Sequence, residues 1–408
     1  MSNRLFTFTR TLLGVSVAAV LLSGTAMADT ASTKGGLQIK SEDGKFEAKL
    51  GGRINLDAIY FIDEDDLPTA DNNNSTASFR RARLTLEGKA HDWQYKIEND
   101  FAGQTGTTGS GFRDVWIGRS ILGHEVKFGQ TKVFRGLEEL GGSNHQVFQE
   151  FPTIGAGGLF RARQIGVFAE KDFKGGGYGV SVFNARDAGG GASQGLGYNA
   201  RGFISPINAD GKLLHLGVTG TVERNPVLNT PTATLPTAND WRVRPRVVGV
   251  NDGGLRPTLV GHSDEQQSIT VEAAGLIGSF YAQAELARTT HDRVSATGAS
   301  LPSEDVDAFY VQGSYILTGE SKRYNAKKGL FSSPNVKDKG VIELKARFEQ
   351  TKNRDTNAEA TQYTVGTNYY FSPNTRALFE YVDGSFQPAG NATKQNASAV
   401  QARLQFNF

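Results

Sequence analysis

Cysteine is missing from all 408 residues, which removes disulfide frameworks and thiolate chemistry as sources of stability or reactivity. Long apolar runs are almost missing too. The single example, "TLLGVSVAAVLLSG", follows Arg4 and Arg10 and leads to "AMA" at Ala26–Ala28, the pattern of a secretory leader with a small-residue cleavage site. Residues 1–28 are therefore expected to be a signal peptide, with the mature chain starting near Asp29. Beyond that point no run approaches the roughly 18 residues of a membrane-spanning helix, so any membrane role must be carried by strands. Net charge is lacking as well. The chain holds 44 lysines and arginines against 42 acids, and Arg4 and Arg10 leave with the leader, so the mature protein is formally neutral. Bulk attraction to nucleic acid is thereby excluded, and charge can act only through its placement.

Catalytic patterns are equally sparse. The six histidines, His91, His124, His145, His215, His262 and His291, are never three to five residues apart, so they give no metal-binding pair and no HExxH helix. His215 alternates within a strand-like segment and reads as an inward-facing residue. "GASQG" at Gly191–Gly195 formally matches a nucleophile elbow, but it lies in a glycine-rich stretch with no apolar strand leading into it, which marks it as a chance match. No phosphate-cradling P-loop is present. The expectation is a protein that is not an enzyme and needs no cofactor.

What the chain does have is long, strict alternation. "KFEAKLGGRINLDAIY" sets Phe46, Ala48, Leu50, Ile54, Leu56, Ala58 and Tyr60 against Glu47, Lys49, Arg53, Asn55 and Asp57. "VIELKARFEQ" and the terminal "AVQARLQFNF" repeat the pattern, the latter with Val400, Ala402, Leu404, Phe406 and Phe408 on one face. Tyr363, Val365, Thr367 and Tyr369, then Ala377, Phe379 and Tyr381, form similar apolar faces. Period-two alternation means a strand with two unlike faces. These segments exceed the usual strand of about 5–6 residues, and their polar faces are heavily charged. A transmembrane barrel explains both features, because a bilayer admits only helices and closed barrels and a barrel strand needs ~9–11 residues, apolar outward and polar inward. With 28 of 408 residues assigned to the leader, the remaining 380 suit an all-β, antiparallel transmembrane barrel of about 16 strands. Its expected extent is 45–408, with 29–44 as an N-terminal periplasmic segment, in a bacterial outer membrane.

Connections are expected to be unequal on the two rims. "GKAHDW", "SPINADGK" and "FSPNTR" carry tight-turn residues, whereas "IDEDDLPTADNNNSTA" and "NRDTNAEATQ" read as longer loops on the opposite rim. Asn225–Ser268, with Arg242, Arg244, Arg246 and Arg256 but little alternation, is either an infolded loop or a surface excursion.

One strand concentrates charge. In "SFRRARLTLEG", Ser78–Gly88, outward Ala82, Leu84 and Leu86 turn Arg81 and Arg83 inward, while Arg80 has the other parity unless a bulge redirects it. Taking residues 62–78 as the hairpin loop sets Arg81 opposite Ile59, Arg83 opposite Asp57 and Arg53 opposite Glu87. Cross-strand ion pairing is then one reading of Arg83. An anion site is the other, since clustered guanidiniums repel one another unless an anion or distant carboxylates compensate, and their planar forks suit oxyanions.

"KLGGRINLDAIY", "SFRRARLTLEG", "HDWQYKIEND", "EVKFGQTKVFRGLEE", "LHLGVTG", "RVRPR", "YILTGESKRY" and "LQFNF" together resemble the phosphate-selective porin (porin O/P) family, in order from about Lys45 to Phe408. The resemblance implies a trimeric, sixteen-stranded channel whose arginine ladder leads to a constriction that binds phosphate or polyphosphate. It implies Arg53 from "LGGR" and Arg80 and Arg81 from "FRRA" as constriction residues, Asp114 from "FRDVWIG" as acceptor for a protonated phosphate, and Arg242, Arg244 and Arg246 as ladder residues. Three positions depart from the family pattern: Arg83 and Lys132 stand where aromatics are expected, and Glu139 where a lysine is. These changes suggest a wider, more basic constriction, opposed by Glu139. The expected partners are phosphate or other small anions, outer-membrane lipid and two further copies of the chain, with no nucleic acid. A general porin, or one specific for other small polar solutes, is the alternative; it should add aromatic stacking along the path.

Overall fold

The computed structural model describes residues 30–32, 37–63, 75–102, 111–155, 159–160, 162–184, 195–209, 211–224, 241–243, 245, 247–248, 255, 257–295, 299–337, 339–390 and 392–408. The expected leader 1–28, Arg244, Arg246, Arg256 and most of "GASQG" fall outside them. The strands are β1 (Thr30–Ser32), β2 (Leu37–Lys40), β3 (Phe46–Asp63), β4 (Thr76–Ala90), β5 (Trp93–Asp100), β6 (Phe112–Ile121) and β7 (His124–Lys132). After a five-residue helix α1 (Leu137–Gly141) come β8 (Arg163–Phe173), β9 (Gly176–Asn184), β10 (Leu196–Ala209), β11 (Lys212–Arg224), β12 (Trp241–Val243), β13 (Val260–Ile277) and β14 (Phe280–Val294). The last are β15 (Ser300–Ile316), β16 (Arg323–Asn325), β17 (Leu330–Ser332), β18 (Val341–Asn353), β19 (Glu359–Tyr370), β20 (Thr375–Gln387) and β21 (Gln395–Asn407).

Sixteen of these strands form one antiparallel sheet in which each pairs with its neighbours in chain order and β21 returns to β3, with Phe406 opposite Ile54 and Ala402 opposite Ala58. Closure leaves the barrel no free edge, the condition a lipid environment imposes on strands. The alternation reads as expected: Ile54, Leu56, Tyr60, Tyr363, Phe379 and Leu404 are exposed on the outside while Arg53, Asn55, Asp57, Glu380 and Arg403 are buried inside. Short strand β2 extends the start of β3, with Leu37 opposite Leu50.

The β3–β4 register differs from the sequence expectation. Arg53 faces Arg83 and Asn55 faces Arg81; past a bulge, Leu56 faces Phe79 and Ile59 faces Thr76. The pairing slides by four residues up to the bulge and by five beyond it. The even shift over Arg53, Arg81 and Arg83 preserves their parity, so they stay inward although their partners change. The bulge falls at Arg80 and turns its side chain to the same buried side as Arg81.

Most turns on one rim are tight, at His91–Asp92, Leu122–Gly123, Lys174–Gly175 and Gly278–Ser279. His91 and Leu122 adopt positive φ of 53° and 50° there. Two loop expectations need correction. "NRDTNAEATQ" is no long loop: β18 and β19 extend through it and leave only residues 354–358 between them, where Asn357 supplies the left-handed φ of 59°. Residues 317–340 form a long insertion on the otherwise short-turn rim, and its β16–β17 hairpin buries Phe331 against Tyr281 and packs Tyr324 against His215. Of the Asn225–Ser268 segment, residues from 260 onward belong to wall strand β13, while Val247, Val248, Leu255 and Leu259 are infolded and buried with Ile154 and Phe160 from the loop after β7.

Barrel closure depends on a close approach at Gly52. Its N–H donates to the carbonyl of Phe408 at 2.9 Å and its carbonyl accepts from the Phe408 N–H at 3.0 Å. A Cβ there would lie 2.5 Å from the Arg83 carbonyl oxygen and 2.4 Å from the Phe408 ring. Gly52→Val is therefore expected to destabilise the folded barrel by about 1–3 kcal/mol, as overpacking does. A lowered urea midpoint in detergent checks this; an unchanged midpoint would show that the seam tolerates a side chain.

Candidate functional site

The lumen is narrowed by the described residues between 133 and 162, which leave β7 and turn inward before β8. This stretch lacks alternation, so its backbone polar groups cannot join the sheet and must find partners on the wall. They do so repeatedly. Arg376 donates to the Gln146 carbonyl at 2.8 Å, Lys345 to that of Val147 at 3.0 Å and Arg347 to that of Glu150 at 3.0 Å; Arg403 donates to the Gln149 carbonyl. The Gln149 N–H donates to Glu380 at 2.8 Å, and the Glu138 N–H to Glu285 at 3.1 Å. The inward charges of β14, β18, β20 and β21 thus hold the constricting loop.

Between loop and wall lies a cavity of about 650 Å³. Among its described lining residues are twelve lysines and arginines against five carboxylates, an excess of seven positive charges in a chain with no net charge to spare. Arg53, Arg80, Arg81, Arg83, Asp114 and Lys132 all line it, so the structure brings together six of the nine sequence-expected site residues. Arg242 belongs to β12, but its side chain, like Arg244 and Arg246, lies outside the described residues.

The six differ in how they are engaged. Arg53 Nη1 donates to Ser143 Oγ at 2.9 Å and to Asn144 Oδ1, while its buried Nε has no hydrogen-bond partner among the described residues. Arg80 makes a two-pronged contact with Glu150, Nε and Nη2 each at 2.9 Å, and Arg81 lies 3.9 Å from the same carboxylate. Asp114 accepts from Arg163 Nε at 2.7 Å and lies 3.7 Å from Lys96. The Lys132 ammonium donates to the Glu139 carbonyl and lies 3.8 Å from its carboxylate.

Arg83 stands directly opposite Arg53, a like-charge pair that costs stability unless compensated. Compensation comes from β5: Arg83 Nε donates to Asp100 at 2.7 Å and Nη1 to Glu98 at 3.1 Å. The ion-pair reading of Arg83 is right in kind and wrong in partner. Asp57 instead takes a fork from Arg403 at 2.7 and 2.6 Å.

Sequence reasoning missed Arg113, Arg163, Arg347, Lys96 and Lys127, which also line the cavity. Alternation of "WQYKIEND" and "VIELKARFEQ" carries the signal for Lys96 and Arg347; nothing periodic announces Glu150. Two groups of the inward loop have shifted protonation. Burial, reinforced by the nearby Arg376 guanidinium, lowers His145 to about 4, so it is neutral at pH 7. Burial raises the Glu138 carboxyl, which accepts from Gln312 at 3.0 Å and Gln283 at 3.2 Å.

Comparison with known proteins is consistent with this geometry. The family model described as phosphate-selective porin O and P matches residues 49–408. Porin O of Pseudomonas aeruginosa is 28% identical over 451 aligned residues, covering 98% of each chain. Among solved structures, the trimer form of the Vibrio cholerae outer-membrane protein OmpT aligns with TM-score 0.57 at 13% identity, covering 89% of this chain and 99% of that one. The anion-selective porin from Comamonas acidovorans aligns with TM-score 0.53 at 15% identity, covering 89% and 100%. Those two likenesses concern the fold alone. A closed sixteen-stranded barrel, a charged inward loop and a family match across residues 49–408 make this chain a member of the phosphate-selective porin O and P family, an outer-membrane channel and not an enzyme.

Proposed function

We propose that the protein is an anion-selective channel for phosphate or polyphosphate-type anions, with Arg53, Arg80 and Arg81 as the main oxyanion donors at the constriction. The observation that carries this reading is that cations outnumber acids by seven among the described residues lining the cavity. Guanidinium forks gathered in a confined space suit an oxyanion, which supplies paired acceptors and offsets their mutual repulsion. Asp114, held by Arg163 and Lys96, is placed to accept from a protonated phosphate. Arg83 and Lys132 contribute field more than direct contacts, because Asp100, Glu98 and Glu139 already engage them. Arg242, Arg244 and Arg246 remain the proposed approach to the site.

Aromatic rings at the cavity would suit a sugar path, but these are covered. Lys127 lies 5.3 Å above the Trp116 ring and Lys132 5.6 Å above Phe151, while Phe134 meets Phe168 edge-on. By analogy with the porins it resembles, the channel assembles as a homotrimer. Residues 1–28 would direct export, and 29–44 would remain periplasmic; the pairing of β2 with the start of β3 at the short-turn rim supports that side.

Reversal potentials in a chloride gradient are expected to show anion preference, and hydrogen phosphate is expected to inhibit chloride conductance. Arg53→Ala and Arg81→Ala should each weaken that inhibition by about tenfold, the scale of one lost charged hydrogen bond. Cation preference of the wild-type channel would reject the proposal. The lowered His145 has a simple pH consequence. Its folded value of about 4 lies below the ordinary 6.5, so it carries no proton between pH 5 and 8. His145→Gln should leave the pH profile of chloride conductance over that range unchanged, and a step near pH 6.5 that vanishes in the variant would refute the assignment.

A further inference from the structure

We infer that Glu150 is a competing carboxylate: it occupies the Arg80 fork between permeation events and, by contesting the site with each incoming oxyanion, keeps binding weak enough for release. This inference rests on the anion-channel reading above and adds a specificity-determining residue to it.

The carboxylate of Glu150 is contacted by three guanidiniums. Arg80 takes both oxygens at 2.9 Å, Arg403 approaches to 2.9 Å and Arg81 to 3.9 Å. A planar fork closing on two oxygens is the geometry with which arginine recognises carboxylate and phosphate alike. Glu150 therefore presents to Arg80 what a permeant oxyanion would present, at a position lining the same cavity.

A structural role would be the simpler explanation if the loop needed this side chain to stay in place. The contacts argue otherwise. Around residue 150 the loop is fixed through its backbone: Arg347 to the Glu150 carbonyl, Arg403 to the Gln149 carbonyl, and the Gln149 N–H to Glu380. Arg403 has its own fork to Asp57. Freeing the Glu150 carboxylate thus leaves the loop's anchors untouched. It exposes Arg80 beside Arg81, a pair of cations that a dianion stabilises.

Transport gives the exchange its purpose. A constriction must bind an ion well enough to admit it and weakly enough to let it go. Two adjacent, desolvated arginines with no rival acceptor would hold a dianion too long. A tethered carboxylate lowers the apparent affinity by the cost of displacing it, and its return helps the anion leave.

The test is hydrogen phosphate inhibition of chloride current in planar bilayers, comparing wild type with Glu150→Gln and with Glu150→Asp, which keeps the charge but shortens the reach. Glu150→Gln should lower the half-inhibiting phosphate concentration about tenfold and lengthen phosphate dwell times to match, and Glu150→Asp should do so several-fold. Should the glutamine variant fail to give heat-modifiable barrels, the aspartate variant decides. Unchanged or weaker inhibition in a folded variant, with the wild type still anion-selective, overturns this inference alone. A cation-selective wild type overturns the anion-channel reading and this inference with it.

Discussion

Everything in this molecule follows from closing a sheet in a medium that cannot hydrogen-bond to it. Because every strand must be paired on both sides, β21 returns to β3 and no edge remains. A closed sheet has only two surfaces, and period-two alternation assigns each residue to one of them. The apolar half of every strand goes to lipid, so the charges of the same strands have nowhere to go but inward. A chain with almost no net charge can in this way build a densely ionic interior, and the composition alone conceals it.

Such an interior has to neutralise itself or remain dependent on solute. Most of it neutralises itself: Lys345 with Glu380 at 2.5 Å, Lys322 with Glu343 at 2.9 Å, Arg201 with Glu272 at 2.6 Å and Arg403 with Asp57. These pairs do more than balance charge. Lys345, Glu380 and Arg403 also anchor the irregular stretch after β7, whereas Arg201 holds the carbonyls of Lys328 and Gly329 in the 317–340 insertion. The cavity beside the inward loop is less balanced: its lining cations outnumber its lining acids by seven, although Asp100, Glu272 and Glu349 behind the surface take up Arg83, Arg201 and Arg347. The remaining excess in a confined space attracts anions by the same physics that makes it costly when empty.

The barrel was legible in the sequence because its signal is local and repeated: parity survives any error that is even. That is why a register mistaken by four residues in β3–β4 still placed Arg53, Arg81 and Arg83 inside, and why the anomalous parity of Arg80 pointed to the bulge that the structure contains. The rest of the site was not legible for the opposite reason. Residues 133–162 and the 317–340 insertion have no period, and their positions are set by contacts far away in sequence, with the wall as in Gln149 with Glu380 or with each other as in His145 with Ser333. Turn chemistry misled at residues 353–362, where polar residues that look like loop continue two strands and a single positive-φ asparagine makes the bend. The partner of Arg83 was missed because ion pairs join whichever strands are adjacent in the final register, and Asp100 lies on the other side of β4 from Asp57.

The departures from the family pattern acquire a different meaning once their neighbours are seen. Counted as charges, Arg83 and Lys132 make the constriction more basic and Glu139 less so. Counted as contacts, Arg83 is held by Asp100 and Glu98, and Lys132 is held by Glu139. The added cations are thus largely met by acids within reach, and the charge that an anion would feel close at hand changes less than the residue list suggests. What distinguishes one basic residue from another here is how much of its donor set the protein itself consumes. Arg53 commits Nη1 to Ser143 and Asn144 and Arg80 gives its fork to a loop carboxylate, whereas Arg83 is taken up by two carboxylates on the adjacent strand. Selectivity at this constriction is therefore a matter of which donors are left over, and a census of arginines is a poor guide to it.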